Sequence, residues 1–154
     1  MNATPHRLLV PIDVSPGSTA AIDAAVRLAR AVKGTVTLLG VAPLAIEPGG
    51  DAPAAGMIAF ESGEQQELDR LAQAQIAAVA ARIGEGVDVR TALTWEPAGS
   101  AIVEEADEGG HDLVVIGWRP GTLGHLLHDR AARHVLDHSP VPVVVVRSPS
   151  AAEG

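Results

Sequence analysis

Residues 112–147 read DLVVIGWRPGTLGHLLHDRAARHVLDHSPVPVVVVR. The order of residue types in this stretch decides the fold. Residues 113–116 are a short, unbroken apolar run, the pattern of a strand buried on both faces of a parallel sheet. Gly117, Gly121 and Gly124 then break the chain. A helix is expected over about 124–138, and residues 143–146 make a second, all-valine run. Strand, glycine-bearing loop, helix and strand form one βαβ unit. In an open parallel sheet, ligands bind beyond the carboxyl ends of the strands, where loops lead into helix N-termini. A small-molecule site is therefore expected at the 117–124 loop.

The same alternation runs through the rest of the chain. Residues 7–13, RLLVPID, read as a first central strand, although Pro11 cannot donate to a sheet ladder and belongs near a strand end. Asp13 sits at its carboxyl tip. Ser15 with Pro16 has the form of an N-cap followed by the first helical residue, and Ser18 is a competing cap. A helix over about 18–33 carries Ile22, Ala25, Val26, Ala29 and Val32 in a single stripe. Gly34 is a natural C-cap position. Residues 35–41, TVTLLGV, read as the second strand.

Residues 42–63 have no clear period, and their prolines and glycines exclude a long helix. Loops of this length are functional or disordered, and Met57, Ile58 and Phe60 are candidates to dock as a flap. A second helix is expected over 64–83, with Leu68, Leu71, Ala72, Ile76, Val79 and Ile83 on one face. Residues 87–94 alternate at first, Val87 and Val89 against Asp88 and Arg90, as an edge strand does. A short helix over 100–108 follows, stopped by Gly109 and Gly110. The βαβαβαβαβ pattern predicts a parallel sheet with helices on both faces and right-handed crossovers. One domain over 1–147 is expected, with 148–154 as a flexible tail.

Bulk composition narrows the function. A chain of 154 residues with 47% hydrophobic content can bury a sizeable core. Only 2% is aromatic, so the core is built of small aliphatics. Cys 0 removes disulfides, thiolate metal sites and cysteine nucleophiles together, and fits a reducing compartment. A formal net charge of -8 with no basic run argues against nucleic acid and acidic membranes, which need clustered Lys and Arg. No signal peptide is evident, and no apolar run reaches the roughly 18–20 residues that span a bilayer. A cytoplasmic location is expected.

Three stretches together resemble the universal stress protein family over nearly the whole chain. LLVPIDVSPGSTAAIDAAVRLA is similar to the family's first strand, acidic residue and first helix. EPAGSAIVEEADEGGHDLVVIGWR is similar to its third crossover and fourth strand, and RHVLDHSPVPVVVVR to its last helix and strand. The resemblance implies a three-layer α/β sandwich around a five-stranded parallel sheet of order 3-2-1-4-5, with dimerisation through the last strand. Some members bind ATP through a Gly-x2-Gly-x9-Gly-Ser/Thr loop. There, glycines let backbone amides approach phosphates at a helix N-terminus.

This chain keeps part of that pattern. Gly117 matches the first glycine and Arg119 a frequent family arginine. The second glycine's position holds Pro120, with Gly121 one residue later, and the Gly-Ser pair falls on Asp129 and Arg130. Pro120 removes a backbone donor. Asp129 sets a carboxylate where phosphate oxygens would sit. Arg130 could bind phosphate but cannot imitate glycine. Asp13 and Val41 match family positions that touch the ribose or metal and the adenine. Half a nucleotide pocket is present and the phosphate half is damaged, so weak or absent ATP binding is expected; a cyclic nucleotide remains compatible with the pattern.

Other constellations carry less. Trp118 could stack on a base or plug an empty pocket, while Trp95 reads as an ordinary, partly buried residue. His125 with His128, and His134 with His138, have chelating spacings, but the two pairs face opposite sides of a helix, so no metal site is expected. No Ser-His-Asp set is legible around Ser15 or Ser18. An ATP-pyrophosphatase would need a Ser-Gly-Gly loop where DVSPGS stands, and a receiver domain would need an acidic pair. Val143, Val144, Val145 and Val146, if they lie at the sheet edge, invite a second chain in a two-fold dimer. The resulting expectation is a non-enzymatic, homodimeric stress-response domain acting through partner or ligand binding, with no required cofactor. The alternative is a nucleotide-binding regulator for ATP or a cyclic nucleotide, using Asp13, Val41 and the 117–124 loop.

Overall fold

The computed structural model describes residues 6–12, 16–41, 62–118 and 126–147. The elements alternate as expected: β1 (Arg7–Ile12), α1 (Pro16–Val32), β2 (Thr35–Val41), α2 (Ser62–Ala81), β3 (Asp88–Thr94), α3 (Ala98–Glu108), β4 (Leu113–Trp118), α4 (Leu126–His138) and β5 (Val143–Arg147). All strand pairs are parallel and the order is β3-β2-β1-β4-β5. The 42–61 segment with Met57, Ile58 and Phe60, and the 148–154 tail, lie outside the described residues.

Strand alternation divides the core in two. Leu8, Val10, Ile12, Val36, Leu38, Leu113 and Val115 face α1 and, through Ile76, α2. Leu9, Leu39, Val114 and Ile116 face α3 and α4, meeting Ile102, Ala106 and Val135. The central strands are apolar on both sides because both sides are covered. Leu8, Leu9 and Leu38 are fully buried, each worth about 1.5–3 kcal/mol in transfer free energy. The outer strands differ. In β3, Asp88, Arg90 and Thr91 are exposed, and in β5 Val144 and Val145 are.

The end of α1 departs from expectation. The left-handed residue is Lys33, with φ 56, not Gly34. The Gly34 amide donates back to Ala29 O at 2.8 Å, closing the helix. Gly34 is needed for a different reason: a Cβ there would lie 2.6 Å from the carbonyl oxygen of His6, the same oxygen that accepts from the Thr35 amide. The chain passes too close to the start of β1 for any side chain. At the same end of the sheet, Asp112 Oδ2 accepts from the amides of His6 at 3.1 Å and Arg7 at 3.0 Å, fixing β4 beside β1.

Helix α2 also departs. Ala72 and Ile76 are buried, but Leu68 and Leu71 are exposed. The cause is geometric. Ile76 meets the sheet at Gly40, one residue before β2 ends. Leu68 lies eight residues earlier, about 12 Å up the helix axis, so this part of α2 runs past the strand ends and has no sheet beneath it.

Candidate functional site

The order β3-β2-β1-β4-β5 puts the reversal of winding between β1 and β4. From β1 the chain crosses through α1 on one face, and from β4 it crosses through α4 on the other. Helix N-termini therefore flank the carboxyl ends of these two strands from opposite sides, the usual place for a ligand in such sheets. Helices α3 and α4 approach closely on their face: a Cβ on Gly99 would lie 2.8 Å from His134 Cβ.

Val41 is the last residue of β2, half-buried and paired with Thr94. Its side chain belongs to the α3/α4 face, by alternation from Leu39. Gly117 pairs with Val146 near the end of β4. Continuing the Leu8↔Leu113 register brings Ile12 level with Gly117. Val41 and Gly117 are thus two strand spacings apart, about 10 Å. Asp13, Arg119, Pro120, Gly121 and Gly124 lie outside the described residues.

Trp118 ends β4 with 38% of its surface exposed. Its register partner is Arg147, whose guanidinium carbon lies 5.3 Å from the ring centroid. That is cation–π distance. One side of the indole therefore carries a cation from the edge strand. Arg147 was not singled out in the sequence; only a parallel β4–β5 register brings the two last residues together. Arg130 is exposed in the second turn of α4. Backbone amides beyond the first turn are used within the helix, so Arg130 can meet an anion only through its guanidinium.

The histidine pair on α4 is folded onto itself. The rings of His134 and His138 stack at 4.3 Å with an interplanar angle of 20°. His138 Nδ1 lies 3.0 Å from the His134 carbonyl oxygen and donates to it. Stacked rings do not converge their nitrogens on one point. Among the described residues, no group of three or more His, Asp or Glu is placed to hold a metal ion. No described helix is long and apolar enough to cross a membrane.

The universal stress protein family model matches residues 5–147. No curated protein matches the chain by sequence. Among solved structures, a universal stress protein from Lactobacillus plantarum superposes with TM-score 0.63 at 20% identity, over 95% of this chain and 100% of that one. A universal stress protein in complex with cAMP gives TM-score 0.53 at 20% identity, over 94% of this chain and 98% of the other. One from Arabidopsis thaliana with AMP bound gives 0.61 at 14% identity, over 97% and 95% respectively. At these identities the likeness is one of fold.

Proposed function

Since the chain belongs to the universal stress protein family, we propose that it serves in stress response as a non-enzymatic, homodimeric binding and regulatory domain that holds ATP weakly or not at all. The observation that carries the reading is β5. It pairs with β4 on one side and ends the sheet on the other, with Val144 and Val145 41% and 45% exposed. An uncharged, β-branched edge of this kind is a template for a second chain. Two copies related by a two-fold axis would pair β5 with β5. Val41, Gly117 and Trp118 offer apolar surface and backbone at the strand ends, which suits a binding role. The cytoplasm, without nucleic acid or membrane as partner, suits a chain with no cysteine and a net charge of -8.

The second reading is a nucleotide-binding regulator. It is favoured by the winding reversal between β1 and β4 and by the AMP and cAMP held by two proteins of similar fold. In it, Val41 would meet the base, Asp13 the ribose, and Gly117, Arg119, Gly121, Gly124 and Arg130 the phosphate, with Trp118 beside them. The separation of about 10 Å between Val41 and Gly117 suits a ligand lying across β1.

Sedimentation velocity tests the dimer. The native chain should sediment as a dimer, and Val145→Lys, which puts a charge on the open edge, should give a monomer with an unchanged circular dichroism spectrum. A monomeric native chain, or a dimer indifferent to Val145→Lys, would remove the β5 interface.

A further inference from the structure

The sheet face that carries α3 and α4 ends in a row of three side chains. Leu39, Ile116 and Val143 belong to that face, so by alternation Val41, Trp118 and Arg147 belong to it too. The pairings Ile12↔Gly40 and Leu8↔Leu113, continued along the strands, put Val41 level with Trp118. Trp118 pairs directly with Arg147. The row therefore runs from an aliphatic residue on β2, across β1, to an indole on β4 and a cation on β5. The winding reversal between β1 and β4 falls inside it.

Arg147 is exposed, and its guanidinium carbon stands 5.3 Å from the Trp118 ring centroid. The cation thus leans from β5 over β4. An indole attracts a cation but offers no oxygen to its N–H donors. Among the described residues the ion pairs are Arg70 with Glu67 and Arg90 with Asp88, and Arg147 has no carboxylate partner. In a chain of net charge -8, a guanidinium steadied by a ring and left without a carboxylate is a ready contact for an anion. Pairing of β5 in a dimer uses the in-plane edge of the strand, whereas the Arg147 side chain stands out of that plane. A dimer through β5 therefore leaves the row open.

We propose that Arg147, oriented by Trp118, is the anion contact of a site for a flat ring bearing a single phosphate, the chemistry of a nucleoside monophosphate. The ring lies along the Val41–Trp118 part of the row, which spans two strand spacings, about 10 Å. The phosphate meets Arg147, whose planar fork holds one such group through paired N–H donors. This contact comes from β5 and not from the glycine loop, so one phosphate is held without the loop. The proposal rests on the reading of these strand ends as a nucleotide site, and adds the residue that selects the phosphate.

The test uses the full chain carrying Trp95→Phe, which leaves Trp118 as its one tryptophan. The probe is AMP, and adenosine supplies the same ring without the phosphate. Binding is followed by calorimetry and by Trp118 emission. Saturable AMP binding that changes Trp118 emission is expected, with adenosine bound more weakly by roughly tenfold. Arg147→Gln, a change in an exposed side chain, should weaken AMP by roughly tenfold, leave adenosine unchanged and flatten the salt dependence of AMP binding. Arg147→Lys should recover part of the loss, because an ammonium keeps the charge but not the fork. Equal AMP affinity with Arg147 and with Arg147→Gln would overturn the proposal and leave the nucleotide site standing. Equal weakening of AMP and adenosine in Arg147→Gln would make the residue structural and would overturn it as well. Binding of neither AMP nor adenosine would overturn the proposal together with the reading beneath it.

Discussion

Gly40 and Ile76 decide how α2 sits on the sheet, and their contact can be measured. A Cβ on Gly40 would fall well inside the van der Waals envelope of Ile76 Cδ1 and 2.8 Å from its Cγ1. Unstrained carbon contacts lie near 3.5–4.0 Å, so Gly40→Ala must push the Ile76 side chain outward by roughly an ångström. Ile76 is 2% exposed and has little room to move. Overpacking of this kind costs about 1–3 kcal/mol. For a domain of this size that lowers Tm by roughly 2–12 °C. Ile76→Ala alone should cost about 2–5 kcal/mol through the cavity it leaves. In the double variant the new methyl has nothing to strike, so most of the Gly40→Ala cost should vanish. The coupling should be about 1–3 kcal/mol in the stabilising direction. Urea unfolding of the four proteins, with m unchanged across the set, gives the cycle. Additivity within about 0.5 kcal/mol would show that the two residues do not touch and that α2 is seated elsewhere.

Three further outcomes follow from single contacts. Lys33→Gly should stabilise the protein by up to about 1 kcal/mol in urea unfolding, because Lys33 holds a left-handed φ of 56 that glycine adopts without a Cβ clash; a loss would mean its side chain matters more than its backbone. Asp112→Ala should cost about 1–3 kcal/mol, since both the His6 and Arg7 amides donate to this carboxylate, and Asp112→Asn should restore part of it. Glu104→Gln should raise Tm at neutral pH and leave it unchanged near pH 4. In the folded chain Glu104 keeps its proton to higher pH than usual, because Glu96, Glu108 and Glu105 surround it. The favourable protonated form is present below the ordinary carboxylate range, and its benefit is lost as pH rises through the raised value. A thermal gap independent of pH would contradict this reading.

The fold was legible where one residue pattern had one structural meaning. Residues 113–116 and the four valines of β5 could be read as strands, and their parallel pairing followed from the helix between them. Val87 and Val89 against Asp88 and Arg90 marked β3 as an edge, which it is. Leu68 and Leu71 were misplaced because periodicity identifies the face of a helix, not the length of sheet beneath it. Gly34 drew the C-cap assignment because glycine usually takes the left-handed position; here close approach to the His6 carbonyl claims the glycine and leaves the turn to Lys33. Trp95 read as an ordinary partly buried residue, yet it is 40% exposed and bonded to Asp69. No spacing rule links residues 26 apart. At the candidate site, Val41 ends β2, while β4 runs on through Gly117 to Trp118, two residues beyond the 113–116 strand that the sequence suggested. Arg147 escaped notice because its link to Trp118 is one of register across two strands.

The proposed function rests on the reading that Pro120 and Asp129 would impair phosphate binding. Calorimetric titration of the native chain with ATP, magnesium present, tests it most directly, with Trp118 and Trp95 emission followed in parallel. The account predicts no saturable heat at micromolar ATP. Saturable binding of one ATP per chain in that range would contradict it and make the nucleotide-binding regulator the better reading.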